Sequence, residues 1–163
     1  MDNRQLILLK ADINAQLQLI KAIDGKLAVR AEGVNPDDVI RLESIAYQIH
    51  NLYSATEDLL KIVAACFENH IADTRQWHTA LLNRMTVPIP GIRPAFISSE
   101  TAALLNSLRG FRQFFPHAYG TNIDYEQLKI NLDRARKIYR NLEKDIQIFF
   151  EQWAESQAKY SLL

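Results

Sequence analysis

From Asp124 to beyond Trp153 the chain repeats its apolar residues at one spacing, and that spacing fixes the class of fold. Leu128, Leu132, Ala135, Ile138 or Tyr139, Leu142, Ile146 and Phe149 follow one another in steps of three and four. Such steps line one side of an α-helix, whereas on a strand they would scatter over both faces. Asp124 stands where an N-cap belongs, with Gln127 at the capping-box spacing. A helix this long buries its stripe most simply against other long helices.

The rest of the sequence supplies them. Between Asp2 and about Glu32, Leu6, Leu9, Ile13, Leu17, Ile20 and Ile23 or Leu27 place one stripe on a helix, and Gly33 follows as a stop signal. Asn35-Pro36-Asp37-Asp38 reads as a restart, with Asn35 as cap, proline at the first helical position and two acids in the first turn. The second helix should reach about Asn69 through Val39, Leu42, Ile45 or Ala46, Ile49, Leu52 or Tyr53, Thr56, Leu59 or Leu60, Val63 and Phe67. A shorter helix, about Arg75 to Arg84, carries Trp77, Leu81 and Leu82. "TVPIPGIRPAFISS" holds three prolines and a glycine in fourteen residues, too many for a helix interior. After this loop Ser98 or Ser99 can cap a helix to about Phe115, with Leu104, Leu105, Leu108 and Phe111 or Phe115 buried, and Pro116 ends it. The expectation is an all-α antiparallel bundle of about five helices forming a single domain over residues 1–163.

Composition narrows the function. Charged residues are 23% and hydrophobic ones 48%, as in an ordinary globular chain. Lys plus Arg and Asp plus Glu number 19 each, so the molecule is not the basic body of a general nucleic-acid coat and any phosphate contact must be local. Cys66 is the single cysteine and cannot form an internal disulfide. No apolar leader and no run of about 18 apolar residues is seen, so a cytoplasmic protein without a membrane span is expected.

One stretch resists a packing explanation: "RGFRQFFPHAYG", Arg109 to Gly120. Arg109 and Arg112 are three apart and share a helix face, which should lie away from the Leu104, Leu108 and Phe111 side. Arg112 offers a permanent cation whose fork matches a phosphate, His117 titrates near neutrality, and Tyr119 carries a phenol. RNA can be cut without a metal because its 2′-hydroxyl attacks the adjacent phosphorus when a base takes that proton or an acid protonates the leaving 5′-oxygen. Histidine can do either. A cation on the non-bridging oxygens stabilises charge that grows in the transition state. The plainer reading is helix capping by a proline stop and a histidine near the C-terminal dipole.

The run Arg112-Gln113-Phe114-Phe115-Pro116-His117-Ala118-Tyr119 is an R-x4-H-x-Y pattern and resembles the signature of HepT-type toxins in the HEPN superfamily of helical ribonucleases. The resemblance extends over about Ser98 to Trp153. It includes Gly110 before the arginine, and "GTN", Asp124 and another long helix after the tyrosine. Gln113 stands where many relatives have Asn, and the Phe114, Phe115 and Pro116 flank marks a divergent branch. The resemblance implies a metal-independent endoribonuclease toxin of a type VII system, without cofactor, acting on RNA such as tRNA through Arg112, His117 and Tyr119. It also implies a homodimer with facing motifs and a cognate MntA-type nucleotidyltransferase antitoxin that neutralises by transferring AMP to Tyr119. A noncatalytic HEPN-like dimerisation or RNA-binding module is the competing reading, and a helical adaptor a third.

Arg109 and, on the last helix, Arg136, Lys137 and Arg140 are candidate RNA contacts; Arg136 with Arg140, or Lys137 with Arg140, share a face. Together with Arg134 they read equally as a solvated face paired with Asp133 and Glu143. Phe114 and Phe115 exceed what one face can bury and are expected at a dimer interface. His70 and His78 lack the neighbours of a metal site, so none is expected. His50 reads as core or interface, Trp77 and Trp153 as buried anchors, and Cys66 in "IVAACF" as an inert core thiol.

Overall fold

The computed structural model describes residues 2–68, 77–114 and 123–160, apart from the side chains of residues 77, 112–114 and 159–160. These residues form α1 (Asn3–Ala31), α2 (Val39–Glu68), α3 (Trp77–Thr86), α4 (Ser99–Phe114) and α5 (Tyr125–Tyr160). The all-α bundle read from the apolar spacing is the observed architecture.

Capping fixes the start of α1. Asp2 Oδ1 accepts the Gln5 amide at 2.7 Å, and Gln5 Oε1 accepts the Asp2 amide at 3.1 Å. This capping box satisfies two donors that a helix N-terminus otherwise leaves to water. Leu9, Ile13, Leu17, Ile20 and Leu27 are buried along the helix, while Ile23 packs at the edge of the core. The chain leaves α1 through Gly33 at φ 63°, in the left-handed region where a Cβ is unfavourable.

The restart differs from its expected form. Asn35 Oδ1 accepts the amides of Asp37 and Asp38 at 2.9 and 3.2 Å, so it organises a turn instead of capping the helix. Asp38 takes the capping role, its Oδ1 accepting the Arg41 amide at 3.1 Å, and α2 begins at Val39. Both Asx side chains bond backbone, and the later one wins because helical geometry is continuous only from Val39. Val39 itself is 54% exposed, contrary to its place in the expected stripe. From Leu42 to Val63 the stripe is buried as read, including both members of each alternative pair. Cys66 is a second correction: the stripe passes through Val63 and Phe67 and leaves it exposed. Partial desolvation still raises its thiol pKa, so the less reactive protonated form is favoured.

α1 and α2 pair antiparallel. Gln16 Nε2 donates to the Ala55 carbonyl at 2.8 Å, and Arg30 Nε to Ser44 Oγ at 2.6 Å. α5 closes the bundle with Leu128, Leu132, Ala135, Ile138, Leu142, Ile146 and Phe149 in the core and Trp153 at its margin. Phe149 meets Phe96 edge-on at 5.2 Å between centroids and Phe67 at 6.0 Å.

The proline-rich loop is packed. Ile89 and Arg93 exchange backbone hydrogen bonds of 2.8 and 2.9 Å around Gly91, which has φ 74°. The amides of Phe96 and Ile97 donate to the Met85 carbonyl, burying both side chains. Arg93 is the peg. Its side chain is 0% exposed and that of Glu68, at the end of α2, is 3% exposed. Nε and NH2 of Arg93 donate to Glu68 Oε1 at 3.0 and 2.6 Å, while the carbonyls of Arg84, Val87 and Pro94 accept at 2.9 to 3.1 Å. Arg84 adds an ion pair through Nε to Glu68 Oε2. Burial, with Arg84 nearby, lowers the Arg93 pKa from the ordinary arginine value.

Candidate functional site

α4 carries the first motif residue, and its placement depends on α5. Buried Asp145 of α5 accepts three hydrogen bonds at Oδ2: the Ser98 amide at 2.9 Å, Ser98 Oγ at 3.1 Å and Thr101 Oγ1 at 2.6 Å. Ser98 Oγ in turn accepts the Thr101 amide at 3.2 Å, so Ser98 caps α4 and α5 holds the cap. With the start of α4 beside Asp145, α4 runs antiparallel to α5 and ends toward its N-terminus. There Asp124 Oδ1 caps α5 by accepting the Gln127 amide at 3.1 Å. Tyr125 Oη donates to the Val34 carbonyl at 3.3 Å, tying this end to the α1–α2 connection.

The backbone of Arg112 lies in the last turn of α4. Its side chain, and all of His117, Tyr119 and Phe115, lie outside the described residues, as do the side chain of Phe114 and the whole of His70. The two arginines differ in register. Arg109 is half-buried and donates through Nε to Asn106 Oδ1 at 3.2 Å. Position 112 instead continues the spacing of buried Leu105 and Leu108, by seven and four residues.

The basic residues of α5 also separate. Arg136 NH1 donates to the backbone carbonyl of Asp24 at 2.8 Å and to its carboxylate at 2.5 Å, joining α5 to α1. Its partner is therefore on another helix, and not Asp133 or Glu143. Lys137 and Arg140 are exposed. Tyr139 Oη donates to Glu143 Oε1 at 3.0 Å; partial desolvation and that carboxylate raise its pKa.

Two features carry no advance signal in the sequence. His78 Nδ1 pairs with Glu57 Oε1, a carboxylate whose side chain is 6% exposed, and so docks α3 on α2. Between α3 and α4 a shallow pocket of about 180 Å³ is lined by Thr79, Leu82, Asn83, Ala102, Ala103 and Asn106. Among the described residues no helix is long and apolar enough to cross a membrane, and no three His, Cys, Asp or Glu residues group in a way that could hold a metal ion.

A helical bundle without strands among its described residues, with an arginine in the last turn of the helix before the longest one, is consistent with a HEPN-like bundle. The family model described as HepT-like protein matches residues 44–153, about two thirds of the chain. The chain belongs to this HepT-like family of HEPN-type toxins. No match was found among curated proteins or among solved structures.

Proposed function

We propose that the protein, as one HepT-like domain over residues 1–163, is a cytoplasmic, metal-independent endoribonuclease toxin acting through Arg112, His117 and Tyr119. The observation that carries this reading is the family match, which spans the whole R-x4-H-x-Y run. In the reaction the 2′-oxygen of RNA bonds to the adjacent phosphorus and loses its proton to a base. The bond from phosphorus to the 5′-oxygen breaks, and that oxygen gains a proton. His117 serves as base or acid, and Arg112 neutralises charge on the non-bridging oxygens. The products are a 2′,3′-cyclic phosphate and a 5′-hydroxyl. End-group analysis by mass spectrometry is the test; a 3′-hydroxyl with a 5′-phosphate would exclude the internal nucleophile.

The partners proposed are an RNA substrate, a second copy of the chain and an MntA-type nucleotidyltransferase. Arg109, Lys137 and Arg140 are proposed RNA contacts. Arg136, the fourth candidate contact, is engaged by Asp24, which neutralises its charge. Phe114 and Phe115 are proposed to lie at the dimer interface, so sedimentation at micromolar concentration is expected to show a dimer; monomer alone would count heavily against it. Neutralisation proceeds by attack of the Tyr119 phenolic oxygen on the α-phosphorus of ATP, releasing pyrophosphate and the phenolic proton. The added phosphate occupies the place that RNA needs beside Arg112. Coexpression with the cognate nucleotidyltransferase is expected to add one or more AMP masses to the Tyr119 peptide and to silence cleavage. Tyr119→Phe should remove that mass, and modification at another residue would defeat this account of regulation.

A further inference from the structure

We infer that the α3–α4 pocket is a subsite for one unpaired nucleobase, with an adjoining phosphate held by Arg109. The inference rests on the RNA substrate proposed above and gives it a place on the scaffold outside the motif.

The pocket has the chemistry of a base site. Leu82 is buried, while Ala102 and Ala103 add apolar wall without bulk, leaving room for a flat ring. Thr79, Asn83 and Asn106 bring a hydroxyl and two carboxamides, groups that both donate and accept. Carboxamides pair with base edges in two directions at once, and RNA is read chiefly where bases are unpaired. About 180 Å³ lies below the range of drug-sized ligand pockets, which suits a single ring system.

Charge supports the same occupant. The hydrogen bond from Arg109 Nε fixes Asn106 Oδ1 as an acceptor, and so presents the Asn106 amide protons as donors. It also holds a guanidinium one turn along α4 from the pocket wall, where a phosphate attached to the bound nucleoside can reach it. Arg109 precedes position 112 by about one turn of α4, so a strand with one base in the pocket and a phosphate on Arg109 extends toward the end of α4 where the motif begins. The pocket thereby selects the nucleotide presented beside the scissile bond.

The test uses binding and does not depend on cleavage. The four nucleoside 3′-monophosphates, with ribose 5-phosphate as the base-free control, are titrated into the ¹⁵N-labelled full chain while the side-chain amides of Asn83 and Asn106 are followed. Saturable shifts with at least one nucleotide and none with ribose 5-phosphate are expected. Asn106→Ala and Asn83→Ala should weaken that binding roughly tenfold or more. Arg109→Ala should weaken the nucleotide more than the corresponding nucleoside. Ala103→Leu, which fills the pocket from its exposed wall, should abolish binding with the helical spectrum unchanged. Unshifted amides with all four nucleotides, or equal shifts with ribose 5-phosphate, overturn the subsite. Specific binding by a chain that does not cut RNA supports the subsite while rejecting the proposed reaction; cleavage with unshifted amides does the reverse.

Discussion

Alanine at His117 or Arg112 is expected to lower RNA cleavage by roughly a hundredfold or more while leaving the helical circular dichroism unchanged. Losing the imidazole removes a proton carrier matched to neutral pH, a contribution of roughly 10²–10⁴ in rate. In the proposed reaction, losing the guanidinium removes a cation that neutralises charge developing only in the transition state, so turnover should fall more than substrate affinity. Arg112→Lys keeps the charge but loses the planar fork, and should recover only part of the rate. Chelators should leave wild-type cleavage unaltered. A fully active His117→Ala, or cleavage abolished by chelator, would remove the metal-free mechanism.

Arg93→Ala should produce the largest loss of stability, about 3–5 kcal/mol, because one partner of a buried ion pair is removed and the other remains. Glu68 would keep only the half-exposed Arg84, and the carbonyls of Arg84, Val87 and Pro94 would each lose a donor. For a chain of this length the melting temperature should fall by roughly 6–20 °C. Thermal and urea unfolding check this together. If Arg93→Ala costs less than about 1 kcal/mol, water has replaced the guanidinium and the loop is not pegged as described. The double variant Arg93→Met with Glu68→Met should cost less than the sum of the single changes, since neither charge is then left alone.

These two residues also mark where the sequence stops being informative. The α5 stripe was legible throughout because each member is tied to the next by helical geometry alone, and the core chooses only which side faces inward. Capping was legible where one candidate stood before the helix, as at Asp124, and misleading at Asn35, where Asp38 three residues on takes the role. Arg93 and Glu68 are 25 residues apart, and Arg136 and Asp24 are 112 apart. Nothing local distinguishes such partners from solvated charges. Arg109 and Arg112 looked alike by spacing, yet one meets Asn106 and the other continues the core register; only the orientation of α4 separates them. The R-x4-H-x-Y run is a different kind of signal. It carries the resemblance to the family, and the family match over residues 44–153 contains it, while its chemistry is the proposal made above.

The clasp of Asp145 on Ser98 and Thr101 has a bearing on how such a toxin can change over time. It fixes α4 from its far end, and Tyr125 with Val34 and Arg136 with Asp24 fix α5, all through residues outside the R-x4-H-x-Y run. Mutations that strengthen or weaken those clasps act on folding, while under the proposed function mutations between Arg112 and Tyr119 act on chemistry and on the match to the antitoxin. The two sets of positions can be selected separately. With the proposed antitoxin as partner, the two proteins can then drift together at the motif, generation by generation, without each step having to be rescued by a compensating change in the scaffold.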